Sequence, residues 1–261
     1  MQIKYFPVNS KNSYVVFENN DKIEELEPFM KENNLSRVIF SGFLGYSKSV
    51  LPFNEDIDLI EEITIQCSNI TDLTPLYHLS NIKKISIEEN VALAHLFDIR
   101  KIAQLTDFFT DDTLKIDGFF DHPTLKQLHI EPKKTKKLDI HNKNNILESL
   151  SIANSHILDL SDCKKFTNLK GLYIAYLPKI EDINFILGMP TLTDVEICSC
   201  KKIDNLIATL AQKNNLEKLT LWNQGNLDSI IPLSKLEHLT TLNICCLLYT
   251  SDAADDLLCV D

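Results

Sequence analysis

Few residues of this chain have the types and spacing that catalysis or metal binding would need. Cys198-Ser-Cys200 comes nearest to a metal motif, because two thiols stand close together in the sequence. A structural zinc site commonly draws its ligands from two such pairs, and no second close pair follows. His129 falls on a predicted strand and faces outward, where we expect a solvated imidazole with no serine or cysteine nucleophile beside it. The sequence therefore predicts no catalytic residue, no metal site and no cofactor.

Composition and short motifs narrow the class of partner. The chain contains no Gly-x-x-x-x-Gly-Lys, Gly-x-Gly-x-x-Gly or Gly-x-Ser-x-Gly motif, and no apolar stretch long enough to span a membrane. Its formal net charge is -11, and the basic run at residues 133–137 is typical of a solvated loop. An acidic chain disfavours phosphate-rich partners and anionic lipids. We therefore expect a protein partner, and neither a nucleic-acid nor a membrane partner.

A repeat must position whatever site the chain carries. Eight segments share one spacing: an apolar residue, two spacers, an apolar residue, one spacer and an apolar residue; a ninth, at Leu105, has Thr110 in the last of these positions. Successive segments begin 20 to 24 residues apart. A period of roughly 20–29 residues with this internal spacing is typical of leucine-rich repeats. The segments begin at Ile60, Ile82, Leu105, Leu125, Leu147, Leu169, Leu192, Leu216 and Leu239.

The first repeat shows how each unit folds. Alternation along residues 60–65 places Ile63 and Ile65 on one face of a strand and Thr64 on the other. The apolar face is buried only when neighbouring repeats stack on it, which produces a parallel sheet over a continuous core. The sequence therefore predicts an α/β repeat solenoid with a parallel concave β-sheet. Short helices or irregular turns are expected on the convex side, with true helices at residues 93–103 and 205–212.

The repeats resemble the short, roughly 22-residue leucine-rich repeats of bacterial internalins. The shared pattern is Leu-x-x-Leu-x-Leu followed by Ile-x-Asp-Leu-x-Pro-Leu-x-x-Leu, and it is clearest at residues 60–82, 147–169 and 216–242. The resemblance implies a curved solenoid whose ninth repeat position carries asparagine or cysteine, bonded to the backbone inside the turn. Asn90 and Cys200 match that position, whereas the other repeats depart from it.

Residues 1–57 differ from the repeats and are predicted to form an N-terminal cap. Residues 2–8 and 13–18 have the pattern of a strand hairpin, and residues 21–33 have the apolar spacing of a helix. The segment 35–40 then matches a degenerate first repeat. Such a cap would cover the exposed end of the core. The predicted solenoid proper is 58–245.

Residues 246–261 are assigned separately. The string 246–256 resembles translated read-through of a sequencing-library adapter, so we expect a non-native tail and a native chain that continues past Cys245. The N-terminus lacks the basic segment and long apolar run of a secretory signal. The cysteines before the tail are irregularly spaced and do not suggest a disulfide framework. These features predict a cytoplasmic protein with reduced thiols.

The concave face is the predicted binding site. In each repeat the third, fifth, seventh and eighth positions are expected to point toward this face or its rim, and stacking turns them into rows across the sheet. Aromatic side chains and a concentration of acids in repeats two to four stand out in these rows. Tyr and Trp dominate interface hot spots, and acids steer basic surfaces. The predicted protein-binding residues are Phe109, His129, Tyr173, Tyr176, Trp222, Glu88, Glu89, Asp111, Asp112 and Glu131.

The sequence thus predicts a non-enzymatic protein-binding module whose partner has a basic surface. Two alternatives stay open. One is an immunity-type inhibitor of a toxin enzyme, and the other is the targeting half of a bacterial effector whose catalytic domain lies beyond the end of this chain. The sequence does not identify the partner or the oligomeric state.

Overall fold

The computed structural model describes residues 1–5, 13–88, 91–111, 115–138, 140, 146–225, 227 and 229–245. Its main feature is a sheet of 12 strands. The predicted tail, 246–261, lies outside the described residues. The strands of the main sheet are β1 Gln2–Tyr5, β2 Ser13–Val16, β3 Arg37–Ser41, β4 Glu62–Gln66, β5 Lys84–Ile87, β7 Asp107–Thr110, β9 Gln127–Ile130, β10 Ser149–Ala153, β11 Gly171–Ala175, β12 Asp194–Cys198, β13 Lys218–Trp222 and β14 Thr241–Cys245.

These strands are neighbours in chain order. The first pair, β1 and β2, is antiparallel, and each later pair is parallel. From β4 onward each repeat contributes one strand, and equivalent positions stand opposite one another: Ile152 pairs with Ile130 on one side and with Ile174 on the other. The predicted parallel concave sheet is confirmed. We call the sheet face opposite the core the concave face.

The inward positions of the repeats form the core. The sequence predicts that Ile63, Ile65 and the residues equivalent to them in other repeats form a buried ladder, and each of these fourteen residues is no more than 3% exposed. Their burial confirms the repeat register, because a slip of one residue would have turned every one of them to the other face. The ladder is Ile63, Ile65, Ile85, Ile87, Leu128, Ile130, Leu150, Ile152, Leu172, Ile174, Val195, Ile197, Leu219 and Leu221.

Short turns occupy the convex side, as predicted. Most of them are single 3-10 segments that follow the strands, at Thr74–His78, Ser161–Lys165, Asn184–Gly188 and Ile231–Lys235. The helix expected at residues 205–212 is present as α2, Leu206–Leu210. Proline suits the first turn of such segments, since its missing N–H costs nothing there, and two of the 3-10 segments carry one.

The prediction of a helix at residues 93–103 was wrong. That stretch contains β6, Phe97–Asp98, which pairs with β8, Ile116–Asp117, and then a 3-10 segment at Ile99–Lys101. Apolar residues in a short segment fit a helix and a strand-plus-turn equally well, so periodicity alone did not separate them. The Arg100 guanidinium lies within 3.0 Å of carboxylate oxygens of Asp98, Asp117 and Asp121, which ties this two-stranded sheet to the neighbouring turn.

The first strands and the first helix agree with the elements predicted for the cap. The antiparallel pair β1–β2 is the expected hairpin, although its connection at residues 6–12 lies outside the described residues. The expected helix begins as a 3-10 turn at Ile23–Glu25 and continues as α1, Leu26–Asn33. The degenerate repeat supplies β3, which pairs with β4 in repeat register. The division of the chain into cap and solenoid domains stays a prediction.

Side-chain to backbone bonds line the turns even where the ninth residue departs from asparagine or cysteine. The Ser155 hydroxyl donates to the Pro132 carbonyl at 2.8 Å, and the Gln224 amide donates to the Ile197 carbonyl at 2.6 Å. The Cys200 thiol donates to the Cys198 carbonyl at 3.3 Å. Different donors therefore satisfy buried carbonyls at one place in the repeat. Asn90 lies outside the described residues.

Membrane insertion through a helix has no candidate in the described part of the chain: neither of its α-helices is long and apolar enough to cross a bilayer.

Candidate functional site

The fifth repeat position forms a continuous row across the concave face. Strand register places Phe109 beside His129, His129 beside Ser151, and Ser151 beside Tyr173. Strands in a sheet are about 4.8 Å apart, so His129 and Tyr173 are separated by about 10 Å with one serine between them. The aromatic residues predicted from separate repeats therefore belong to one surface.

The seventh position forms a second row with an abrupt change of character. Ala153, Ala175 and Cys198 stand opposite one another, and Trp222 follows Cys198 on the next strand. The three small residues are only 4%, 0% and 7% exposed, whereas Trp222 is 49% exposed. The three small residues occupy the predicted outward position but are not open to solvent. They point toward the concave face, but Tyr173 packs against them and covers them.

Two eighth-position predictions also failed. Cys67 is buried, and its thiol donates to the Tyr46 carbonyl at 3.3 Å. Pro132 is buried as well. Cys67 follows the end of β4 and belongs to the hydrophobic core, so the bend after this strand carries its side chain inward.

Tyr173 is the inner aromatic of this surface. It is partly buried and packs on the small residues of the seventh row. Burial raises the pKa of the Tyr173 phenol to about 12, and the nearby Cys198 and Glu196 contribute smaller shifts in the same direction. The phenol therefore stays protonated at neutral pH and is available as a hydrogen-bond donor.

Tyr176 is the outer aromatic, and its backbone is unusual. It follows β11 with φ 52° and is 53% exposed. The equivalent residues after β10, β12 and β13 are Asn154, Ser199 and Asn223, all with positive φ. The left-handed conformation is costly for most L-residues and is tolerated best by glycine and asparagine. A tyrosine that is both strained and solvent-exposed is therefore a candidate for a role other than packing.

We expect Tyr176→Asn to raise the free energy of unfolding by about 0.5–1 kcal/mol, because asparagine relieves strain in the left-handed region. The measurement is urea denaturation followed by circular dichroism. Tyr173→Asn is the matched control: its backbone belongs to strand β11 and its ring covers the small residues, so this change should destabilise the chain by about 1 kcal/mol or more. If Tyr176→Asn lowered the free energy of unfolding by a comparable amount, the Tyr176 ring would have a structural role.

His129 is not the solvated histidine that the sequence predicted. Its ring stacks on Phe109 with centroids 4.1 Å apart and an interplanar angle of 7°. Its Nδ1 lies 2.7 Å from the Ser151 hydroxyl oxygen, so a serine does stand beside it. Burial lowers the pKa of the imidazole, with nearby Glu131 opposing the shift. The repeat register placed His129 and Ser151 in one row, but the sequence analysis did not predict the contact between their side chains.

The predicted acids have different surroundings. Glu88 is exposed and accepts hydrogen bonds from the Gln66 amide at 2.6 Å and the Ser86 hydroxyl at 3.0 Å. Glu131 is only 9% exposed, accepts a hydrogen bond from the Asn154 amide, and lies 3.7 Å from the Lys133 ammonium. Asp111 is partly exposed. The predicted residues Glu89 and Asp112 lie outside the described residues.

A shallow depression of about 270 Å³ lies next to Tyr173. Gly171 contributes no side chain to its wall, and the Lys218–Asp194 ion pair, with a nitrogen–oxygen distance of 3.0 Å, forms part of its rim. The depression was not predicted from the sequence. It places polar groups beside an aromatic side chain, a combination that suits recognition of a partner side chain.

The repeat period, the single parallel strand in each repeat and the bonded turns make this chain a leucine-rich-repeat solenoid. No protein-family model matches the chain. Among solved structures, the internalin InlF of Listeria monocytogenes is 17% identical with a TM-score of 0.45, over 88% of this chain and 66% of InlF. InlJ of the same bacterium is 15% identical with a TM-score of 0.48, over 91% of this chain and 54% of its functional domain.

A complex of TLR13 with an RNA, ssRNA13, is also similar, with 14% identity and a TM-score of 0.47 over 83% of this chain and 43% of TLR13. This chain therefore spans less than two thirds of each of these three structures. Identities this low do not transfer a partner, and the fold assignment rests on the chain's own repeat and sheet. The expected absence of a nucleic-acid partner stays a prediction.

Proposed function

We propose that this chain is a non-enzymatic module that binds a protein partner on its concave face. Tyr176 and Trp222 carry the proposal. Both side chains are about half exposed. Tyr176 follows β11 and Trp222 is the last residue of β13, two strands away. Between them lie the small residues Ala175 and Cys198. Tyr173 covers these small residues, so a partner would contact the exposed rings of Tyr176 and Trp222 and not the small residues between them.

The physical argument is one of differential burial. Large exposed aromatic rings gain free energy when a partner removes them from water, and they lose little rotamer entropy in doing so. Solvated surfaces rarely keep several such rings on one face. The strained backbone of Tyr176 adds a second argument, since an asparagine at that position would satisfy the fold better.

Affinity capture from lysate of the source cells tests the proposal. The bait is the parent chain, the double variant Tyr176→Ser/Trp222→Ser, or the control Leu158→Ala. Leu158 is 51% exposed but lies in the turn after β10 instead of on the concave face. A protein retained by the parent and by the control, and lost with the double variant, supports the proposal. Equal retention by all three baits contradicts it.

The acidic residues that repeats two to four contribute to the same face, Glu88 among them, are proposed to steer a basic surface of the partner. Glu88→Lys should slow association roughly threefold or more at low salt while changing dissociation little, because exposed charges act mainly on encounter. Glu27→Lys on helix α1 makes the same charge change away from the concave face and should have a smaller effect. Association rates are measured by surface plasmon resonance with the captured partner. The difference should fade near 1 M salt, where the Debye length is about 3 Å; a difference that persists there would refute steering.

The cytoplasmic location stays a proposal. Its support is that Cys67, Cys163, Cys198 and Cys200 are buried and form no disulfide within the described part of the chain. Burial raises the pKa of Cys163 to about 12 and that of Cys200 to about 11, which keeps both thiols protonated and unreactive. Cell fractionation with an antibody to the native protein would test the location.

A further inference from the structure

Three side chains of the types that bind metal ions, Asp111, His129 and Glu131, converge at the concave face. One ring nitrogen of His129 and one carboxylate oxygen from each of Asp111 and Glu131 lie within 4.8 Å of one another. Sheet register brings them together. Asp111 follows β7 and Glu131 follows β9, and these strands are paired, with His129 opposite Phe109.

The imidazole is oriented as a metal-ligating histidine would be. Its Nδ1 is 2.7 Å from the Ser151 hydroxyl oxygen, and the stack on Phe109 fixes the ring plane. When Nδ1–H donates to the serine oxygen, Nε2 carries a lone pair. That Nε2 atom is buried and has no hydrogen-bond partner among the described residues. Metal-bound histidines commonly have such an outer hydrogen bond on their other nitrogen, which sets the tautomer.

The orphaned Nε2 distinguishes this cluster from an ordinary acidic surface. A buried polar atom without a partner costs free energy, and an ion would provide the missing interaction. Glu131 is already held by the Asn154 amide, a hydrogen bond that can orient a ligating carboxylate.

The geometry points to a binding site for a first-row divalent cation, held by Nε2 of His129 and by the carboxylates of Asp111 and Glu131, with Ser151 as a positioning residue. One nitrogen and two oxygen donors suit Mn²⁺ or Zn²⁺, whereas Mg²⁺ and Ca²⁺ prefer oxygen ligands alone. Ligand distances of about 2.0–2.2 Å require the three side chains to close in by small rotations.

This inference goes beyond the proposed function and does not depend on it. Ion binding is measured on the isolated chain, so loss of the metal site would leave the partner-binding proposal standing, and the reverse also holds.

The test is titration of the full chain with MnCl₂, with free Mn²⁺ followed by electron paramagnetic resonance. Mn²⁺ prefers oxygen and nitrogen ligands, so the seven cysteines of the chain compete little. We expect one saturable site. Asp111→Asn, Glu131→Gln and His129→Phe should each weaken binding at least about tenfold, and Ser151→Ala about tenfold through loss of the outer hydrogen bond. Glu196→Gln, on the same face outside the cluster, should leave the affinity unchanged.

His129→Phe keeps an aromatic ring stacked on Phe109 and removes both nitrogens. Each variant is checked for folding by circular dichroism, and if one does not fold, the two other ligand variants decide. Absence of saturable Mn²⁺ binding in the parent overturns the inference. It is also overturned if the folded ligand variants bind like the parent, or if Glu196→Gln loses as much affinity as they do.

Discussion

Replacement of Ile152 by alanine is expected to lower the free energy of unfolding by about 2–5 kcal/mol. Ile152 belongs to β10, is fully buried, and has an equivalent isoleucine on each neighbouring strand, Ile130 and Ile174. The truncation leaves a cavity between repeats that cannot collapse, because the neighbouring strands fix the spacing. Urea denaturation followed by circular dichroism measures the change.

Ile244 provides a matched control for this prediction. It occupies the same repeat position on β14, the last described strand, but its side chain is only partly buried. Ile244→Ala should therefore cost clearly less than Ile152→Ala. Equal losses at the two positions would contradict the view that each repeat is stabilised by the neighbours stacked on both sides of it.

The Trp222→Ala substitution should weaken partner binding by about 2 kcal/mol, or about 30-fold in Kd. The ring is 49% exposed and ends β13 beside the small residue Cys198, so its apolar area is available for burial by a partner. The measurement is isothermal titration calorimetry with the purified captured protein.

The same variant should change stability by less than about 1 kcal/mol, because the Trp222 side chain points away from the core. Leu158→Ala, which removes a comparably exposed apolar side chain outside the concave face, should leave Kd unchanged. An unaltered Kd for Trp222→Ala would exclude this residue as an anchor. A large loss of stability would instead make any weaker binding a consequence of misfolding.

The core could be predicted from the sequence almost residue by residue. Leucine and isoleucine recur at fixed places in each repeat, and stacking gives every equivalent position the same environment. One buried residue such as Ile63 therefore predicts Ile85 and Leu128. The convex turns were less predictable, because the short apolar pattern of residues 93–103 fits a helix and a strand-plus-turn alike.

The candidate site could be predicted only in part. Repeat register assigned Phe109, His129, Ser151 and Tyr173 to one row, which the strand pairing confirms. Side-chain conformations decide the remainder. The ring stack on Phe109, the bond to Ser151, and the burial of small residues beneath Tyr173 depend on rotamers that alternation along a strand does not specify.

The backbone of Tyr176 carries a similar lesson. Its φ of 52° follows from its place after the strand end, which the repeat spacing shares with Asn154 and Asn223. Those two asparagines are the sequence signal for a left-handed residue, whereas Tyr176 and Ser199 adopt that conformation without it. Alignment of these four repeats therefore predicts a left-handed backbone at position 176, where tyrosine is the only aromatic residue of the four.

Photo-crosslinking tests most directly whether a protein partner binds the concave face. The photoreactive residue p-azidophenylalanine replaces Tyr176, where it keeps an aromatic ring, or Leu158 as a control outside that face. We predict a discrete crosslinked protein from position 176 in lysate of the source cells, competed away by unlabelled parent chain and absent from position 158. No competable adduct at position 176, or an adduct at position 158 alone, would contradict the account.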